Sequence, residues 1–306
     1  MRPSVLSKLI GAVALYWIVY ESWPASLVAG ITIVAICIIV AIARTLHRKS
    51  RVAGRGTVVA GRPAVKSGQH EPLKGTFAMP RLELAPILSP ITKLSPSIMH
   101  RSGSLFYSGP SAFEASRSIY ILGLNPGGSP STQVDETVER DFTEWQALTK
   151  PWSAYVDESW QGRSPGTHGM QPRMRHMFSQ LGLDLREVPA SNVVFVRSTN
   201  EAALAAEKAA LLSQCWPVHE AVIRELEIRT ILCLGTTAGR WTREAIRADK
   251  LIDRFKEQND RGWASEAHIA ADGRAVVTVT HPGRADWRNP LADPTPLVRA
   301  VLSRRC

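Results

Sequence analysis

Ser118-Ile-Tyr-Ile-Leu-Gly-Leu-Asn-Pro-Gly-Gly128 opens with an apolar run, Ile119 to Leu122, and closes in turn-forming residues. A short apolar run bounded by such residues suits a buried strand of a parallel sheet. Gly123 and the Asn125-Pro126-Gly127-Gly128 cluster then force a sharp turn at the strand's carboxyl end. Ligand sites of open α/β sheets lie at such ends, so Asn125 is a candidate pocket residue. A purely structural turn is an equal reading of the stretch by itself.

The same grammar recurs downstream. Residues 188–197 give a second strand containing Asn192-Val-Val-Phe-Val-Arg197, and 230–235 and 276–280 give two more. Asn192 either reads a ligand edge or caps the adjoining backbone. Helical spacing is expected over 137–148, 171–181, 207–226, 236–248 and 296–302, with a bend or break at Pro217. Ala271-Asp-Gly-Arg274 is a hairpin turn signal, and the strand after it runs directly into His281-Pro282-Gly283-Arg284. Alternating strands and helices predict an α/β domain, a parallel sheet with helices on both faces. Between 135 and 160 stand Phe142, Trp145, Trp152, Tyr155 and Trp160; each either stacks on a base or fills the core.

The amino-terminal part is different in kind. Residues 27–43 carry no charge and are long enough to cross a bilayer. An earlier apolar segment, 9–20, ends near the interface-type aromatics Tyr16, Trp17, Tyr20 and Trp23. With a turn at Glu21-Ser-Trp-Pro24, residues 1–45 read as a transmembrane helical hairpin. Arg2 and Lys8 before it, and Arg44, Arg48, Lys49, Arg51 and Arg55 after it, keep both flanks in the cytoplasm. That places the protein in the inner membrane with its soluble part facing the cytoplasm, and membrane lipid becomes one partner. Residues 46–96, rich in Gly, Pro and basic side chains, read as a flexible linker. The domain proper is expected over 97–306. A formal charge of +10 and a pI near 9.8 point to anionic partners, nucleic acid or acidic lipid. Cys37, Cys215, Cys233 and Cys306 form no CxxC pair, which excludes zinc-site spacing and argues against a disulfide framework.

Three motifs thus close three predicted strands: Gly123-Leu-Asn-Pro-Gly127, Asn192-Val-Val, and His281-Pro-Gly. In this order, over 118–302, they resemble the uracil-DNA glycosylase superfamily. The Leu-Asn-Pro-Gly form is similar to the mismatch-specific and single-strand-selective branches. His281-Pro282 with Arg288-Asn289-Pro290 is similar to the single-strand-selective branch in particular. The resemblance implies a three-layer fold that hydrolyses the N-glycosidic bond of uracil or a related modified base in single- or double-stranded DNA, with no cofactor or metal. It assigns catalysis to Asn125, which orients water, and to His281, which stabilises the departing base. Gly123, Leu124, Pro126, Gly127, Gly128 and Asn192 would line the base pocket, with Asn192 reading the pyrimidine edge. Arg284 and Arg288 would meet phosphates, and Trp287 would wedge the duplex. Three features depart from the pattern: Gly283 replaces a serine, Ala285-Asp286-Trp287 intervenes before Arg288, and the four-cysteine iron–sulfur arrangement is absent. The alternative class is a non-catalytic module sensing nucleotides or nucleic acid at the membrane, in defence against foreign DNA.

Overall fold

The computed structural model describes residues 84–304. The transmembrane hairpin read at 1–45 and the linker up to residue 83 lie outside the described residues. Among the described residues, no helix is long and apolar enough to cross a membrane.

Six strands form one sheet: β1 (Ile119–Gly123), β2 (Ala190–Asn192), β3 (Thr230–Leu234), β4 (Lys250–Lys256), β5 (Ala264–Ile269) and β6 (Ala275–Val279), in the order β2-β1-β3-β6-β5-β4. The first four in that order are parallel, while β5 and β4 are antiparallel additions. The sheet is therefore mixed, a correction to the all-parallel expectation. The connections at 257–263 and 270–274 are too short for a parallel crossover and permit only hairpins. β1 and β3 are buried along their whole length, whereas the edge strand β4 exposes Lys250 and Lys256. Charged side chains on such an edge discourage further pairing.

Side chains leave the sheet alternately, and each face has its own core. Tyr120, Leu122, Ile231, Cys233 and Val276 face one cluster, built with α1 (Ala85–Ile91), α6 (Lys208–Glu225) and α7 (Thr236–Ile246). Ile119, Ile121, Leu232, Leu234, Val277 and Val279 face the other, with α4 (Gln171–Leu181) and α8 (Thr295–Leu302). The domain is thus three layers with the sheet in the middle. Short helices α2 (Pro96–Met99) and α5 (Glu201–Ala206), and α3 (Val138–Gln146), complete it. Thr137 caps α3, its Oγ1 accepting from Arg140 N at 3.2 Å. Pro217 sits inside α6 without breaking it, because Leu211, Cys215, Val218 and Val222 anchor both halves to the core.

Two boundaries move. Residues 84–96 are not part of a tether: Leu84, Ile87, Leu88, Ile91 and Leu94 are buried, and α1 packs on α6. Pro86 lies in the first turn of α1, where its missing N–H costs nothing. The second strand, expected over 188–197, is shorter and ends at Asn192. Beyond it, Val193 N donates to Gly123 O (2.9 Å) and Val194 N to Leu124 O (3.1 Å), so the chain follows the β1 turn out of the sheet plane. The outer edge of β2 is covered by the segment around Phe106, whose neighbour Tyr107 N donates to Ala190 O.

Candidate active site at the carboxyl ends of the parallel strands

Parallel register puts the quoted motifs on one edge of the sheet. Gly123 and Asn192 are direct partners across β1 and β2. β3 lies next to β1, and β6 next to β3. With neighbouring strands about 4.8 Å apart, the turn after β1 and the turn after β6 leave the sheet roughly 10 Å apart. Asn125, Asn192 and His281 therefore share one end of the fold. A cavity of about 440 Å³, lined by Ser118, Thr230, Ala275 and Arg304 among others, lies at the amino ends of these strands and holds none of them.

Asn192 is only 6% exposed. Its carboxamide lies over Gly123, where a Cβ would stand 2.1 Å from Asn192 Oδ1. Glycine at 123 is what makes room for this side chain. Asn192 Nδ2 is buried, and the nearest acceptor it faces is the Tyr107 phenol oxygen. A donor held this loosely in a buried place is open to exchange for a ligand acceptor. Beside it stands the half-buried Tyr107, which sequence reasoning did not single out. Burial pushes its phenol up to about 12, and the neighbouring Asn192 amide pulls the other way. Tyr107 stacks on Tyr155 with ring centroids 5.9 Å apart, and Tyr155 meets Trp160 edge-on at 6.1 Å. Of the aromatics between 135 and 160, Trp145 and Tyr155 are core, while Phe142, Trp152 and Trp160 keep partial exposure.

The Asn125 turn is half open. Asn125 Nδ2 donates to Pro126 O at 3.2 Å, leaving its Oδ1 outside that bond. Pro126 is buried, Leu124 half-buried, and Gly127 and Gly128 are exposed. Gly128 has φ +101°, a conformation that side chains resist, and Gln133 Oε1 occupies the space a Cβ would need. Gly127 O accepts from Arg197 Nε at 2.8 Å. Arg197, at the far end of the quoted Asn192 stretch, received no role from sequence; the signal was a charge closing a run of four apolar residues.

His281 follows β6 and abuts Gly235 at the end of β3. Its Nδ1 accepts from Gly283 N at 2.9 Å. A nitrogen that accepts carries no proton, so the neutral ring has its hydrogen on Nε2, free to donate. The packed surroundings and then the Arg284 charge hold this imidazole below the usual histidine range, while Glu201 opposes them. The ring remains open to solvent, which weakens the effect of the packing. Glu201, a second group unmarked by sequence, accepts from Thr237 Oγ1 at 2.9 Å.

The expected DNA contacts fare unevenly. Arg284 is exposed, its carbonyl held by Arg261 Nη1 at 2.8 Å. Arg288 is exposed but forks onto Asp286 through Nε and Nη2, both at 2.9 Å, which holds that carboxyl well below the usual range. Trp287 is fully buried and donates Nε1–H to Thr280 O at 3.1 Å. It is not a duplex wedge. The loop after Pro282 folds back and inserts Ala285 and Trp287 into the second core cluster, where an indole removes most apolar area from water. Among the described residues, no group of three or more His, Cys, Asp or Glu could hold a metal ion. Cys215 and Cys233 are buried and their thiols are pushed up to about 12 by that burial, which makes both poor nucleophiles.

No protein-family model matches the chain. No curated protein matches it in sequence.

Proposed function

We propose that the domain hydrolyses the N-glycosidic bond of uracil or a related modified base in DNA, in the manner of the uracil-DNA glycosylase superfamily. The observation that carries this reading is the buried Asn192 carboxamide, seated over Gly123 at the strand end next to that of Asn125, with the His281 turn two strands beyond Asn125 on the same edge of the sheet. In this reading the target base leaves the stack. Asn192 Nδ2 donates to a ring carbonyl. A water oriented by Asn125 attacks the sugar C1′ as the C1′–N bond breaks, the bond's electron pair departs with the base, the water's surplus proton passes to solvent, and the base anion takes one up from solvent. His281 Nε2–H donates to the base oxygen on which that charge collects, a contribution worth several kcal/mol in a dry site. An amide takes no proton, so Asn125 orients rather than deprotonates. Arg284 supplies phosphate contact, and the amino-terminal hairpin tethers the enzyme to the cytoplasmic face of the membrane.

The absence of a carboxylate at position 125 favours one second reading, a module that binds an extruded base without releasing it. Full-length protein is incubated with single- and double-stranded oligonucleotides, each carrying one modified base, and free base is measured. Release that is lost in His281→Ala supports the hydrolase. Base-selective binding without release supports the sensor, and neither binding nor release eliminates both.

A further inference from the structure

We infer that Arg197 is a positioning residue: acting through the Gly127 carbonyl, it fixes the turn that presents Asn125. The inference rests on the glycosidic-bond reading above. The ladder that aligns β1 with the Asn192 segment ends at Leu124, whose carbonyl accepts from Val194 N. The next tie in the turn is Gly127 O, held by Arg197 Nε. Asn125 lies between these two fixed points, and both come from residues 193–197. The segment that begins with the base-reading amide thus ends with the guanidinium that sets where Asn125 stands.

The guanidinium is built into this place. Arg197 is 9% exposed, and burying its charge is costly unless the group is paired. Its Nη2 donates to Glu136 Oε2 at 2.8 Å, and Nη1 reaches Ser102 Oγ (3.1 Å), Gly103 O (3.2 Å) and Glu136 O (3.1 Å). The same Glu136 oxygen accepts from Gln133 Nε2 at 2.8 Å, and Gln133 Oε1 accepts from Ser129 N at 2.9 Å. A closed circuit therefore runs from Gly127 through Arg197, Glu136 and Gln133 to Ser129, gripping the turn on both sides of Gly128. A planar fork can serve several acceptors in one plane, which a lysine ammonium cannot. Displacing a water-orienting group by about 1 Å is enough to lower turnover by about a hundredfold.

The test compares full-length wild type, Arg197→Lys, Arg197→Ala and Gln133→Ala. Arg197→Lys is expected to lower kcat roughly 10- to 100-fold with KM within about threefold. Millimolar guanidinium should restore part of the kcat of Arg197→Ala. Gln133→Ala, a half-exposed change that spares the core, should lower kcat several-fold. Folded variants with wild-type kcat, or a rise in KM alone, would overturn the assignment. Amide hydrogen exchange gives a readout independent of turnover: Arg197→Lys should speed exchange at Ser129 at least tenfold while β3 and β6 stay protected. Unchanged exchange at Ser129, or equal loss across the sheet, also overturns it. If wild type releases no base from any oligonucleotide, the glycosidic reading fails, and exchange alone decides whether Arg197 holds the turn.

Discussion

A methyl group at residue 123 is the smallest change that should disturb base selection. It would stand 2.1 Å from Asn192 Oδ1, and the strand backbone there is ordinary, so the carboxamide moves rather than the chain. Gly123→Ala should therefore reduce the preference for a modified-base oligonucleotide over its undamaged control by tenfold or more, read by fluorescence anisotropy, with an unchanged circular dichroism spectrum. An unaltered preference would remove Asn192 from base readout. At the other strand end, protonating His281 on Nδ1 would drive a proton against Gly283 N–H. Activity should then be full above the pKa and fall as pH drops through it, with the acid limb below the ordinary value of 6.5. Arg284→Gln should move that limb upward and Glu201→Gln downward, since the two charges act with opposite sign. A limb that neither change moves excludes His281 as its source. Asn125 and His281 were legible in the sequence because each follows an apolar run within turn-forming residues that mark a strand end, whereas Asn192 was singled out inside an expected strand whose true end it is. Tyr107 and Arg197 were not, because they meet the site only across the fold. Trp287, set among charged residues after the Pro282-Gly283 turn, gives no sequence sign that its loop doubles back into the core.

At the scale of elements, what was readable was periodicity. The helix over 171–181 and the strands at 119–123 and 230–234 stand where apolar spacing places them. The hairpin signal at 271–274 marked the antiparallel β5–β6 pair, while β4 escaped: its exposed, charged edge carries no apolar run to mark it as a strand. The proline-dotted stretch before residue 97 escaped for another reason. Prolines at 86, 90 and 96 suggest a tether, yet Leu84, Ile87, Leu88, Ile91 and Leu94 all face the core. Each such side chain contributes roughly 1.5–3 kcal/mol when buried. Their sum rivals the about 5–15 kcal/mol net stability of a whole domain. A fragment starting at residue 97 should consequently be unfolded or aggregated, whereas one starting at residue 75 melts cooperatively. Equal urea midpoints for the two fragments would show that α1 adds nothing.

Across the whole molecule, strand β1 is joined to both the long helix and the site by one buried imidazole. Tyr120 O–H donates to His219 Nδ1 at 2.8 Å, and His219 Nε2–H donates to Val193 O at 3.2 Å, next to Asn192. Burial lowers this histidine to about 4, well under its ordinary 6.5. Between those values the unfolded chain binds a proton that the folded chain refuses. Its stabilisation is thus complete above pH 6.5 and drains away as pH falls toward 4, about 3 kcal/mol in all. Asp141 works in the opposite sense. It accepts from Leu105 N and Ser104 Oγ, yet burial raises its carboxyl from 3.8 to about 6. Its contribution is present below pH 3.8 and is lost as pH rises through 6. The two windows overlap between pH 4 and 6 with opposing slopes, so urea-unfolding stability of wild type should change little across that range. His219→Gln removes one slope and leaves the other. The variant should be less stable than wild type at pH 7 and should lose further stability as pH climbs from 4 to 6. A variant whose pH dependence parallels wild type would mean that the Tyr120–His219–Val193 link carries no proton-linked energy, and that the strand ends are held together by packing alone.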